Sequence, residues 1–191
     1  MIVFSGSAAK KTHAPISVIN EIIRVDSLKI LGVEFRNDLS MSAHVKNVLQ
    51  AASQSMYALK IIKAHGLDDQ SLSMLFNALV LSRLTYASPA WRGFANKSDI
   101  AALQAIINRA VRWGQWNDRG SNIEGFCAKL ETKLFTSILN DPHHVLHQFL
   151  PPEKTNKHNL RKRAHNRELP TKDTTLFSKN FIIRMLYETI L

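Results

Sequence analysis

Five groups of residues in this 191-residue chain have types and spacings that chemistry uses. Asp68-Asp69 is the one adjacent acidic pair. Polymerases and nucleases use paired carboxylates to hold two divalent ions. These two stand between a helix-stop sequence, His65-Gly66-Leu67, and a new helical pattern. Negative groups at that position cap the helix and meet its dipole favourably, so capping is the expected role. Asp141, His143, His144 and His147 offer metal-ligand chemistry, with His143 and His147 four residues apart. They lack the intervening glutamate of a zinc peptidase, and Asp141-Pro142 reads as a turn, so no metal site is expected. Cys127 is the only cysteine and reads as a buried helical thiol rather than a nucleophile. Arg109 and Arg112 lie beside Trp113 and Trp116. Cations next to aromatic rings can track a phosphate backbone and stack bases. The competing reading is a solvated helix face whose tryptophans seal the helices together. Arg161-Lys162-Arg163 with Arg167 forms a dense basic run suited to non-specific nucleic-acid binding through counterion release, or to nuclear import. No glycine-rich phosphate loop and no nucleophile elbow accompany these groups, and no catalytic residue is expected.

The charge is unevenly placed. The formal net charge is +10, and nine basic residues against two acidic ones between Lys154 and Arg184 supply +7 of it. The rest of the chain is nearly balanced. With 45% hydrophobic residues a real core can form, which excludes wholesale disorder. No run approaches the ~18 apolar residues of a membrane span, and no signal-peptide core follows Met1. The expected protein has no membrane partner and an intracellular place, in nucleus or cytoplasm.

The elements that position these groups follow from periodicity. Ile22–Val25 and Leu28–Phe35 are short and β-branched around Asp26-Ser27, which predicts two strands in a hairpin, with Gly32 allowing a close backbone approach. From Ser42 the period becomes helical: Val45, Val48, Leu49, Ala52, Met56 and Leu59 mark a first helix ending near Gly66. Leu72, Leu75, Phe76, Leu79 and Val80 mark a second, capped by Asp68 and stopped at Tyr86–Pro89. A third starts at Ser98, carries Ile100, Leu103, Ile106, Ile107, Ala110 and Val111, and stops at Gly114; a fourth covers Ile123–Leu139. Glu153–Asp173 is polar and basic, an extended or disordered linker, before Phe177–Leu186 resumes a helical period. The fold class is therefore mainly α: an antiparallel helical bundle preceded by a short β-hairpin and followed by a basic linker and a terminal helix. The expected divisions are residues 1–40 (strands), 41–140 (bundle), 141–175 (basic, largely irregular linker) and 176–191 (helix). The last helical face is cut off by the C-terminus, as in a truncated chain.

Several phrases in order resemble the region after the catalytic palm in reverse transcriptases of non-LTR, LINE-like (Jockey-like) retrotransposons. Leu28-Lys29-Ile30-Leu31-Gly32-Val33 is similar to the strand at the palm's end. His44-Val45 with Tyr57-Ala58-Leu59 is similar to the helix that follows. Leu75–Val80 through Ser82, Leu84, Tyr86–Pro89 and Trp91 resembles the family's longest signature. Leu103-Gln104 with Asn108–Arg112, then Asp141–His147, Pro151-Pro152, Asn159–Arg161 and Asn180-Phe181 with Arg184, resemble the regions beyond.

The resemblance implies that the bundle is a thumb-like part gripping template and primer, with Leu31 and Gly32 on a primer-grip-like strand. The family's aromatic-x-Asp-Asp turn has no counterpart in residues 1–27, where Asp26 is the only aspartate. The expected function is that of a fragment of an RNA-directed DNA polymerase that lacks the catalytic palm. It is not an enzyme as the chain stands, and magnesium belongs only to the complete parent enzyme. Residual binding of RNA and DNA backbone would fall to Arg109, Arg112, Lys154, Lys157, Arg161, Lys162, Arg163 and Arg167. The unpaired N-terminal strands imply self-association. The alternative is a non-enzymatic helical protein-interaction module with a basic localisation tail.

Overall fold

The computed structural model describes residues 25–154 and 165–188. The chain is mainly helical, and a two-stranded antiparallel hairpin precedes the helices. It divides into two compact units. One holds the residues up to Ala87 together with Phe94–Ile123, the other Ser88–Gly93 together with the residues from Glu124 onward.

In the first unit, strand β1 is Ser27–Ile30 and β2 is Val33–Arg36, paired with Ser27 opposite Arg36 and Ile30 opposite Val33. The hairpin therefore lies inside the run expected as its second strand, and Ile22–Arg24, most of the expected first strand, fall outside the described residues. The reason is local: Leu31 and Gly32 both take positive φ, 46° and 88°, the two-residue turn whose twist matches the strands it joins. Leu31 and Gly32 thus form a turn, not the strand inferred from the family resemblance. The Tyr86 hydroxyl donates to the Leu31 carbonyl at 3.0 Å, tying the turn to the helical part. A left-handed leucine is strained by about 1–2 kcal/mol. Leu31 is 87% exposed, so Leu31→Asn, which suits this turn, should raise the unfolding free energy by about 1 kcal/mol in urea titration. An unchanged or lower midpoint would contradict the turn assignment.

Helix α1, Ser42–Ala64, buries His44, Val45, Ala52, Met56 and Leu59, and Gly66 just beyond it takes φ 91°, as a helix-stop glycine should. Val48 and Leu49 of the expected stripe are only half-buried. Burial lowers the pKa of His44, against an opposing influence from Glu34, and favours a neutral imidazole. Helix α2, Asp69–Phe76, is capped by Asp68, whose carboxylate accepts from the Ser71 amide at 2.9 Å. That bond lowers the Asp68 pKa. The expected second helix is not uniform. Asn77–Leu81 is a π-helical turn, followed by α3, Ser82–Thr85. The wider turn moves the inward stripe to Phe76, Val80, Leu81 and Leu84 and leaves Leu79, expected inside, 42% exposed. The Ser82 and Thr85 hydroxyls return to the carbonyls of Ala78 and Leu81, four residues back.

Helix α5, Lys97–Arg112, follows two short elements of the other unit's segment, α4 (Ser88–Trp91) and a 3₁₀ turn. It starts one residue before the expected Ser98, because Asn96 and Asp99 form a reciprocal capping box. Ser42, the first residue of α1, donates to the same Asp99 carboxylate at 3.1 Å. Helix α1 packs against α5, α2, α3 and β2, so α1 is the hub of this unit.

In the second unit, α6 (Ile123–Asn140, with Ile123 assigned to the first unit) and the C-terminal helices meet around Phe135, Ile182, Ile183, Met185 and Leu186. The expected terminal helix is two: α7, Thr175–Ser178, and α8, Phe181–Glu188, because Asn180 caps the second through the Ile182 amide at 3.0 Å. Residues 189–191 lie outside the described residues. The expected linker is pinned where it is described. The Lys154 amide donates to the Asn166 carbonyl at 2.8 Å and the Glu168 amide to the Pro152 carbonyl at 2.9 Å.

Candidate nucleic-acid interface

Trp113 ends α5 and is 42% exposed. Two cations face its ring: the Arg109 guanidinium 5.3 Å and the Lys60 ammonium 5.8 Å from the centroid. Lys60 comes from α1, across the packed pair of helices. Lys63, about one turn of α1 beyond Lys60, donates to the carbonyls of Trp113 (3.3 Å) and Gly114 (2.8 Å) and holds the ring's backbone in place. A Cβ on Gly114, which takes φ 63°, would stand 2.5 Å from that ammonium, so a side chain there would push the lysine tip aside. Next to Lys60 on α1, Tyr57 is 65% and Ile61 43% exposed. Arg112 is exposed beside Trp113. The result is a half-exposed aromatic ring among basic groups, contributed by two helices.

The expected site residues fare differently. Arg109 is not a free surface cation: its Nη2 donates to the Ser53 hydroxyl at 3.0 Å, and it stands half-buried as a support for Trp113. Trp116 packs on Phe76 with centroids 5.2 Å apart and donates to Ser121, so of the two expected tryptophans one seals the unit and one is presented. Lys154 and Arg167 belong to the second unit. The Arg167 guanidinium is engaged by Glu153 at 3.3 Å, by the Pro151 carbonyl at 3.3 Å and by His147 Nε2 at 3.5 Å, which makes it an internal brace. Lys157, Arg161, Lys162 and Arg163 lie outside the described residues.

The other candidates have structural employment. The Asp141 carboxylate accepts from the His143 amide, His144 Nδ1 from the Leu146 amide, and His147 Nδ1 meets the Ile138 carbonyl at 2.7 Å. Among the described residues no group of three His, Cys, Asp or Glu side chains is placed to hold a metal ion. Burial raises the Cys127 pKa, so the thiol stays protonated. A cleft of about 590 Å³ in the first unit is lined by Asp69, Ser73, Met74, Asn77, Trp116 and Asp118, and its carboxylates disfavour a phosphate backbone. Among the described residues no helix is long and apolar enough to cross a membrane.

Sequence reasoning missed Lys60 and Lys63, and named Tyr57 only as part of the family resemblance. Their signal was the exposed face of an amphipathic helix, which any solvated helix also carries. It also missed a buried charge cluster in the second unit. Glu131 on α6 is fully buried and is clamped by Arg92 and Arg184. The chain matches no protein-family model, no curated protein and no solved structure.

Proposed function

We propose that this chain is a thumb-like, nucleic-acid-binding region of a reverse transcriptase of the non-LTR retrotransposon type, with an antiparallel helical bundle as its framework. It binds the backbone of RNA and DNA non-specifically and carries out no polymer synthesis with the residues present here. The order of the resembling phrases supports the family reading. The observation that carries the binding reading is Trp113, half-exposed at the end of α5 with Lys60, Arg109 and Arg112 around it. Phosphate contacts by such cations supply sequence-independent affinity. For catalysis, the only adjacent carboxylate pair begins with Asp68, which is spent on a helix cap.

The test is fluorescence anisotropy of the full chain with a labelled single-stranded RNA across 20–200 mM salt. Wild type should bind at low salt and weaken steeply as salt rises. Lys60→Ala with Arg112→Ala should lower affinity and flatten the slope of log K against log salt by about 1.4, the release expected for two contacts on a single strand. No binding at the lowest salt would remove the reading. The exposed Tyr57 and Ile61 favour a second reading, a protein-docking helix face; a pull-down partner lost in Tyr57→Ala, without nucleic-acid binding, would support that instead.

A further inference from the structure

We infer that Trp113 is a stacking plate for an unpaired nucleobase, so that the interface takes single strands in preference to duplex or bare phosphate backbone; this rests on the nucleic-acid reading above. Three features distinguish a plate from an ordinary surface tryptophan. The backbone that carries the ring is held, because the carbonyls of Trp113 and Gly114 both accept from the Lys63 ammonium and the Trp113 amide bonds the Arg109 carbonyl at 3.0 Å. The two facing cations are unequal. Arg109 is anchored by Ser53 and half-buried, a permanent polariser of the ring. Lys60 is exposed, with its ammonium over the ring.

A base arriving on the plate exchanges with Lys60, the partner on a flexible four-carbon stem. The displaced ammonium is then within side-chain reach of the phosphate that follows the base. Stacking and ion pairing are thereby served by one exchange, and no bond is left unmade. A duplex offers phosphates to Lys60 and Arg112 but keeps its bases inside the stack, away from the ring. Every base has a π-face, so the plate selects unpaired strands without selecting sequence.

The experiment compares three probes of equal charge on the full chain at fixed low salt: a 15-mer of thymidylate, a 15-mer of abasic sugar-phosphate, and a duplex of matched phosphate number. The thymidylate strand should bind about tenfold or more tightly than the abasic strand, as base stacking on one aromatic ring predicts. Trp113→Ala should lower the thymidylate affinity to near that of the abasic strand, and Trp113→Phe should keep most of the difference. Equal binding of thymidylate and abasic strands by the wild type would overturn the plate and leave backbone binding standing. A Trp113→Ala loss equal for both strands would also overturn it, by making the ring a support rather than a partner. Binding of none of the three probes would instead remove the nucleic-acid reading itself. Circular dichroism of each variant checks that the helices are retained.

Discussion

Glu131→Ala should destabilise the second unit by about 3–5 kcal/mol, the loss expected when one partner of a buried ion cluster is removed. The carboxylate is fully buried, and both guanidinium groups that hold it, Arg92 and Arg184, are more than four-fifths covered. Arg184 reaches both oxygens, its second nitrogen meeting Oε2 at 3.4 Å, and also pairs with Glu188 at 3.5 Å one turn along α8. Alanine would therefore leave two largely covered cations close together, Arg92 without its carboxylate and Arg184 with only the half-exposed Glu188. Most domains have only about 5–15 kcal/mol in total, so the effect should be plain in thermal or urea unfolding. Glu131→Gln keeps an oxygen acceptor and should lose less. Replacing all three by apolar residues of similar size, Arg92→Met, Glu131→Leu and Arg184→Met together, should come close to wild type, because no charge then remains buried. The deficit of Glu131→Ala should also persist at high salt, which screens exposed pairs far better than buried ones. A loss below about 1 kcal/mol would mean that water reaches the cluster in solution.

Gly93→Ala should be nearly as damaging, by about 3 kcal/mol, toward the upper end of what overpacking costs. A Cβ there would land on the Lys179 carbonyl oxygen and stand 2.9 Å from Arg184 Nε. The first neighbour is backbone at the end of α7 and cannot swing away. The second belongs to the guanidinium that holds Glu131. The substitution therefore pushes at both the helix junction and the charge cluster, and its effect should be less than additive with Glu131→Ala, since both spend the same contact. Gly66→Ala is the matching control. Nothing lies within 4 Å of its Cβ position, and only its φ of 91° resists a side chain. It should lose about 1 kcal/mol, the strain of one left-handed residue. If Gly93→Ala melted no lower than Gly66→Ala, the close approach around Gly93 would not exist in solution.

Some features were legible from neighbouring residues because their causes are local. Asp68 reads as a cap in the sequence and is one, since the amide it bonds is three residues away. The position of α6 and the glycine stop after α1 follow from the same short-range rules. Asn96-x-x-Asp99 also carried a visible capping signal, although Ser98 drew the expected start one residue inward of it. The hairpin illustrates a subtler failure. A β-branched run predicts strand at each position, but two successive positive φ angles at Leu31-Gly32 fold that run upon itself, and leucine gives no warning of it. The π turn at Asn77–Leu81 is likewise hidden, because a stripe counted at 3.6 residues per turn cannot see an added residue.

By itself, then, the sequence determined a mainly helical chain opened by short strands, with its boundaries near caps and glycines, and a basic excess gathered toward the C-terminal part. Tertiary structure decided what the charged and aromatic residues do. Lys60 and Trp113 are 53 positions apart, and Arg92, Glu131 and Arg184 span 92, so no local pattern could join them. Burial separated the arginines: Arg109 became a support, Arg167 a brace and Arg184 a clamp, while Arg112 stayed in solvent. The physical reason is that a side chain's type sets which bonds it can make. Whether water or protein makes them depends on packing between distant segments, and periodicity within one segment carries no record of that.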